Sequence, residues 1–248
     1  MDVKEMLNGL AKWQMNLESW SKQLENYLNR HPEVIEAIKY LNENIQRWPE
    51  LQKKMFEDSA RIGWFINNSA DAIRKCMSIE AVDTKMITEM KSGYAEIIER
   101  AIIRIPHRKG ILERIRMLYE SGDYEIVLPI LFSQLDGLCK DLCGCFLFTD
   151  KKDRDNLLTS MINDDAENIL ELLLHPLRIQ ESLVFCRIKA FDVAQIDSIP
   201  NRNIIMHGER TAKSYGTQVN VLKVFSLLGY LIDIAFPASI SEVNYTSN

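Results

Sequence analysis

The chain has 248 residues, 46% of them apolar and 26% charged, with a formal net charge of −5. That length holds one domain or two and buries a real core either way, and the composition is that of a soluble globular protein. The acidic balance excludes a protein coated in basic residues for bulk nucleic-acid binding, but not a local basic patch.

Ten glycines and seven prolines are few, which favours long helices over many turns. The start, Met1-Asp2-Val3-Lys4-Glu5, lacks the continuous apolar core of an export signal. Five cysteines, an odd number, then point to reduced thiols and a cytoplasmic location.

Helical periodicity runs from end to end. Met6, Leu10, Trp13, Leu17, Trp20, Leu24 and Leu28 step by three and four along 2–28 and draw one apolar stripe. His31-Pro32 breaks that helix, and Val34, Ile35, Ile38, Leu41 and Ile45 start another. Trp48-Pro49 makes a second break before Leu51, Met55, Ile62 and Phe65, and a weaker helical run covers 81–103. Pro106 opens a further helix and marks the expected boundary between an N-terminal helical region (1–103) and a second domain (104–236).

In that second part, Ile111, Ile115 and Leu118 line one side of a helix over 107–119, and Gly122-Asp123 turns the chain. Val127, Leu131, Leu135, Leu138 and Leu142 predict a helix over 124–146, kinked or delayed by Pro129. Residues 149–165 read as a polar connection. A helix then ends near 174 at His175-Pro176, and a short one covers 177–189. The run from Val219 to Phe236 is the most apolar, yet Asn220, Lys223, Ser226 and Asp233 make it a buried helix rather than a membrane span. A polar tail occupies 237–248. No alternating strand of useful length appears, so the fold class is all-α.

Arg104, Arg108, Lys109, Arg114 and Arg116, with His107, stand against a single Glu113. This local excess fits an RNA-backbone contact and fits an ordinary solvated helix face equally well. Gln134 lies within the apolar stripe of its helix and Asp136 nearly opposite; either could hold a histidine ring in one tautomer if it approached. Cys139-x3-Cys143-x-Cys145 lacks the second ligand pair of a structural zinc site and reads as small buried side chains, so no metal is expected. No phosphate-binding glycine loop, nucleophile elbow or His-Glu-x-x-His pattern occurs, and no cofactor is expected.

The stretch from Asn201 to Glu209 carries the sharpest signal. Asp197, Ser198 and Pro200 read as a helix start, with proline in the first turn. Arg202, Asn203 and His207 follow among apolar residues. On a helix Asn203 and His207 share a face, while Arg202 and His207 lie about 140° apart, within reach of a long arginine. Arginine grips phosphate oxygens with two donors and histidine exchanges a proton near neutrality. Cleavage of RNA through its own 2′-hydroxyl needs those two services and no metal. The plainer reading is a packed core histidine beside a solvated arginine.

Arg202-Asn203-x-x-x-His207 resembles the Arg-polar-x(4–6)-His signature of the HEPN superfamily (higher eukaryotes and prokaryotes nucleotide-binding), and the helix order over about 104–236 is similar to it. The resemblance implies an all-helical bundle and an endoribonuclease of the toxin, abortive-infection or antiphage kind. His207 would move the 2′-hydroxyl proton or hold the reacting phosphate, Arg202 would stabilise its charge, and Asn203 would fix the phosphate or brace the dyad. It also implies RNA as partner, a homodimer with facing dyads, and a possible antitoxin or regulatory protein. The alternative is a non-catalytic all-helical module that binds RNA, a nucleotide or a protein.

Overall fold

The computed structural model describes residues 48–66, 79–162, 176–178, 198–208 and 215–235. The helices expected over 2–28 and from 34, the one ending near 174, most of 177–189 and the polar tail lie outside the described residues. Contacts divide the chain into two compact units, Met1–Leu51 and Gln52–Asn248. Among the described residues the fold is helical and no strand occurs.

Helix α1 spans Trp48–Arg61 and α2 spans Ile79–Arg104. Pro106, expected as a domain boundary, instead opens a single 3₁₀ turn inside the second unit, Pro106–Arg108, and α3 (Lys109–Ser121) follows directly. The chain does not part there because Ile97, Ile98 and Ala101 before the turn and Leu112, Ile115 and Tyr119 after it bury in the same core. Gly122, at φ 86, ends α3, since only glycine takes that left-handed conformation without a Cβ penalty.

Helix α4 (Tyr124–Cys143) runs through Pro129. Proline lacks the N–H that would bond the Glu125 carbonyl, and the Tyr215 hydroxyl donates to that oxygen instead, at 3.4 Å. A further helix, α5 (Lys151–Ile162), occupies the stretch expected as a polar connection. Its anchors are tertiary: Leu158 is buried, and the Arg154 Nη1 donates to the Leu147 carbonyl at 2.6 Å. Six residues, Arg202–His207, form α6, and α7 spans Gln218–Tyr230 before a π turn at Leu231–Ala235.

Every residue of α7 from Asn220 to Tyr230 is buried, and the helix packs against α2 and α4. The Phe225 ring lies 5.8 Å from Tyr94 and 5.4 Å from Tyr119. A helix buried all round must satisfy its polar groups locally. The Ser226 hydroxyl accepts from the Phe65 N–H (3.0 Å) and donates to the Lys223 carbonyl (2.6 Å). Lys223, 3% exposed, donates to the Ser198 carbonyl at 2.8 Å, stands 3.3 Å from Asp83 and lies over the Trp64 ring. The polar residues that argue against a membrane span thus fix the seat of the helix. Among the described residues no helix is long and apolar enough to cross a membrane. The apolar surface of α7 is thus covered within the chain.

Candidate functional site

Helix α6 starts at Arg202, at least two residues later than a start with Pro200 in the first turn. Asn201, fully buried, is the cap: its side-chain oxygen accepts the Ile204 N–H at 3.0 Å, and Pro200 stands outside the helix instead of in its first turn. Asn201, three residues beyond Ser198 and four beyond Asp197, reaches the free amides directly. Gly208, at φ 62, closes the helix. Ile204 and Ile205 bury against the core and α6 packs on α4, which leaves Arg202 and Asn203 half-buried and Met206 and His207 exposed.

The packed core histidine is therefore not what the structure contains. The His207 side chain is exposed, and among the described residues no hydrogen bond or ion pair reaches its ring. Arg202 is held more firmly. Its guanidinium lies 3.9 Å from the Asp136 carboxylate on α4, donates to the Asn203 side-chain oxygen at 3.3 Å and lies 5.6 Å from the Phe148 ring centre. A cation over an aromatic face with a carboxylate behind it has few positions left to sample. With its side chain still 20% exposed, it keeps donors available to an anion.

Asp136 organises this corner twice over, since its other oxygen accepts the Phe148 N–H at 2.9 Å. Burial raises its carboxyl above the usual value, against the Phe148 N–H and the Arg202 charge, which pull it down. Asp136 thus serves Arg202 and not the histidine ring. Gln134 serves neither: it faces the other side of α4, where its oxygen accepts from Arg108 at 2.8 Å. Two residues along a helix turn a side chain through about 200°, which separates the pair.

The five cations of the basic stretch are mostly spoken for. Arg108 bonds Asp141 at 2.7 Å as well as Gln134, and its guanidinium lies flat on Gly137, where a Cβ would come within 2.6 Å of it. His107 reaches the same Asp141 oxygen at 3.0 Å, and the Arg108 hydrogen bond holds that carboxyl below its usual value. Arg108 and His107 therefore tie the Pro106 turn to α4. Arg116 pairs with Glu120 (2.9 Å) and Glu99 (3.4 Å), Lys109 stands 3.7 Å from Glu113, and Arg104 is engaged within the fold. Arg114 is exposed and makes no ion pair among the described residues.

Three thiols meet at the far end of α4. Cys139 and Cys143, one turn apart, have their sulfurs 3.4 Å from each other, and the Cys143 and Cys145 sulfurs are 3.5 Å apart. Gly144, at φ 83, folds the chain back to bring Cys145 round. A Cys139 hydrogen bond and the Lys140 charge are among the influences that lower the Cys143 thiol to about 6, while burial pushes Cys145 up to about 11. The 2.9 Å contact from Cys143 to the Cys139 carbonyl belongs to the thiol form and is given up on ionisation. Helical spacing alone puts Cys139 beside Cys143; the left-handed glycine that recruits Cys145 is the signal that sequence reasoning passed over.

No family model, no curated protein and no solved structure matches the chain.

Proposed function

We propose that the chain is a metal-independent endoribonuclease of the HEPN kind, acting through Arg202 and His207. The observation that carries this reading is the pairing of a braced arginine with an exposed histidine on one short helix. Arg202, positioned by Asp136, Asn203 and the Phe148 ring, would receive the scissile phosphate and stabilise its developing charge. His207, unencumbered, would swing to the substrate and move the 2′-hydroxyl proton or steady the phosphate. Asn203 braces the arginine. Within the basic stretch, Arg114 and the loosely paired Lys109 are the cations free to follow an RNA backbone.

A homodimer that brings two such dyads together, and an antitoxin or other regulatory partner, are proposed from the same resemblance. So is a role in growth arrest or antiphage defence. A second reading, a non-catalytic binding module, draws on the Arg202–Asp136 pairing, which would equally suit an arginine that only holds an anion.

The test is RNA cleavage by the purified full chain. His207→Ala and Arg202→Ala should each lower the rate by about 10²-fold or more. His207 is exposed, so its variant should shift stability by no more than about 1 kcal/mol, whereas Arg202→Ala also strands the half-buried Asp136 carboxylate and should cost about 1–2 kcal/mol. Products should end in a 2′,3′-cyclic phosphate, DNA should survive, and metal-free protein should remain active. Cleavage that persists in both variants overturns the reading, and RNA binding without cleavage would leave the module.

A further inference from the structure

The thiol cluster at the end of α4 has no part in the dyad chemistry, and its geometry points to a binding site for a thiophilic closed-shell metal ion, zinc(II) or copper(I). The sulfurs of Cys139, Cys143 and Cys145 all lie within 4.8 Å of one another. An ion about 2.3 Å from each of three sulfurs needs them about 3.8–4.0 Å apart, in tetrahedral or trigonal array. The two closest pairs, at 3.4 and 3.5 Å, need only spread by a few tenths of an ångström. Side-chain rotation supplies that without moving the helix.

Helical spacing accounts for Cys139 beside Cys143, but the third sulfur is recruited separately, by the left-handed Gly144 that folds Cys145 back onto the pair. Cys139 and Cys145 are buried, but Cys143 is only half-buried and still turns its sulfur onto the other two rather than to solvent. Soft thiolates select zinc and copper(I) over the hard cations. Binding displaces the thiol protons to water and leaves a net negative centre. Lys140, whose ammonium bonds the Gly144 carbonyl between two of the cysteines, is placed to offset that charge. The half-buried flank at Cys143 is the way in. A zinc ion would keep a water as fourth ligand there, whereas copper(I) is satisfied by three sulfurs.

The experiment uses the reduced, metal-free full chain, titrated with zinc(II) in one arm and, anaerobically, with chelator-buffered copper(I) in the other. One equivalent should bind, X-ray absorption should find three sulfurs at about 2.3 Å, and the arm with the tighter binding identifies the ion. Cys143→Ser should weaken that binding by at least about 10²-fold, more than loss of a ligand's supporting contact usually does. Met117→Ala, which removes an exposed thioether on α3, should leave it unchanged. Because Cys143 is half-exposed, its serine variant should fold, and a thermal unfolding curve without metal checks this. Failure of either ion to bind, fewer than three sulfurs, or binding that survives Cys143→Ser overturns the assignment, whatever the outcome of the RNA assay.

Discussion

Removing the Asp136 carboxylate tests the architecture under Arg202 without touching Arg202. Among its contacts are a charged hydrogen bond from the Phe148 N–H at 2.9 Å and an ion pair at 3.9 Å with Arg202. A hydrogen bond to a charged group contributes about 1.5–3 kcal/mol, and a long, partly exposed ion pair at most about 1 kcal/mol. The burial that raises the carboxyl works against both. Asp136→Ala should therefore cost about 2 kcal/mol, or about 4–8 °C of melting temperature in a chain of this size. Asp136→Asn keeps an acceptor for Phe148 and removes the buried charge, so it should stay within about 1 kcal/mol of the parent.

The pH dependence sharpens the contrast. A carboxyl with a raised native pKa is protonated more readily in the fold than in the unfolded chain, so the native state gives up stability as pH climbs from about 4 through that value. Asparagine cannot titrate. Asp136→Asn should gain on the parent over that interval in chemical denaturation followed by far-ultraviolet circular dichroism. If the asparagine variant is as damaged as the alanine one, or if the gap between the parent and Asp136→Asn does not change with pH, the account of Asp136 as an acceptor first and a charge second is wrong.

Other expectations follow from single contacts. Phe225→Ala deletes the ring packed between Tyr94 and Tyr119 and should cost about 3–5 kcal/mol in urea unfolding; a loss below about 1 kcal/mol would mean that α7 does not organise the core. In reduced, metal-free protein, iodoacetamide should label Cys143 ahead of Cys139 and Cys145, at a rate that climbs as pH passes about 6, whereas equal labelling of Cys145 would contradict its higher thiol pKa of about 11. Gly216→Ala puts a Cβ 3.1 Å from the Glu125 amide nitrogen, which cannot step aside, and should destabilise by about 1–3 kcal/mol; a neutral result would show that loop 215–217 does not press on α4.

What could be read in the sequence was whatever depends on neighbours along a helix. Leu131, Leu135 and Leu138 announce α4; for α3 the sequence singles out Ile111, Ile115 and Leu118, of which only Ile115 is fully buried, while Leu112 and Tyr119 complete the buried face. Arg202 and His207 stand out for the same reason, being unusual residues at a spacing of one and a half turns. Features that depend on distant partners were not legible. Arg108 stands among other cations in the chain, and only the fold reveals Asp141, Gln134 and the bare backbone of Gly137 waiting for it. The charged run 151–158 becomes a helix because Leu147 offers a carbonyl to Arg154, a contact with no periodic trace. The cysteine cluster needed the backbone sign of a single glycine.

The burial of α7 on all sides bears on how this chain is made. The helix lies late in the chain and fills the middle of the bundle, bonding Ser226 to Phe65 across 161 residues. Helices α2, α3 and α4 leave the ribosome first, with Tyr94, Tyr119 and their apolar neighbours facing a space that nothing yet occupies. At about 5–20 residues per second, that unfilled groove persists for several seconds of synthesis. Folding is therefore completed after α7 has emerged, and a chain cut before Gln218 is left with an open apolar cleft and a strong tendency to aggregate.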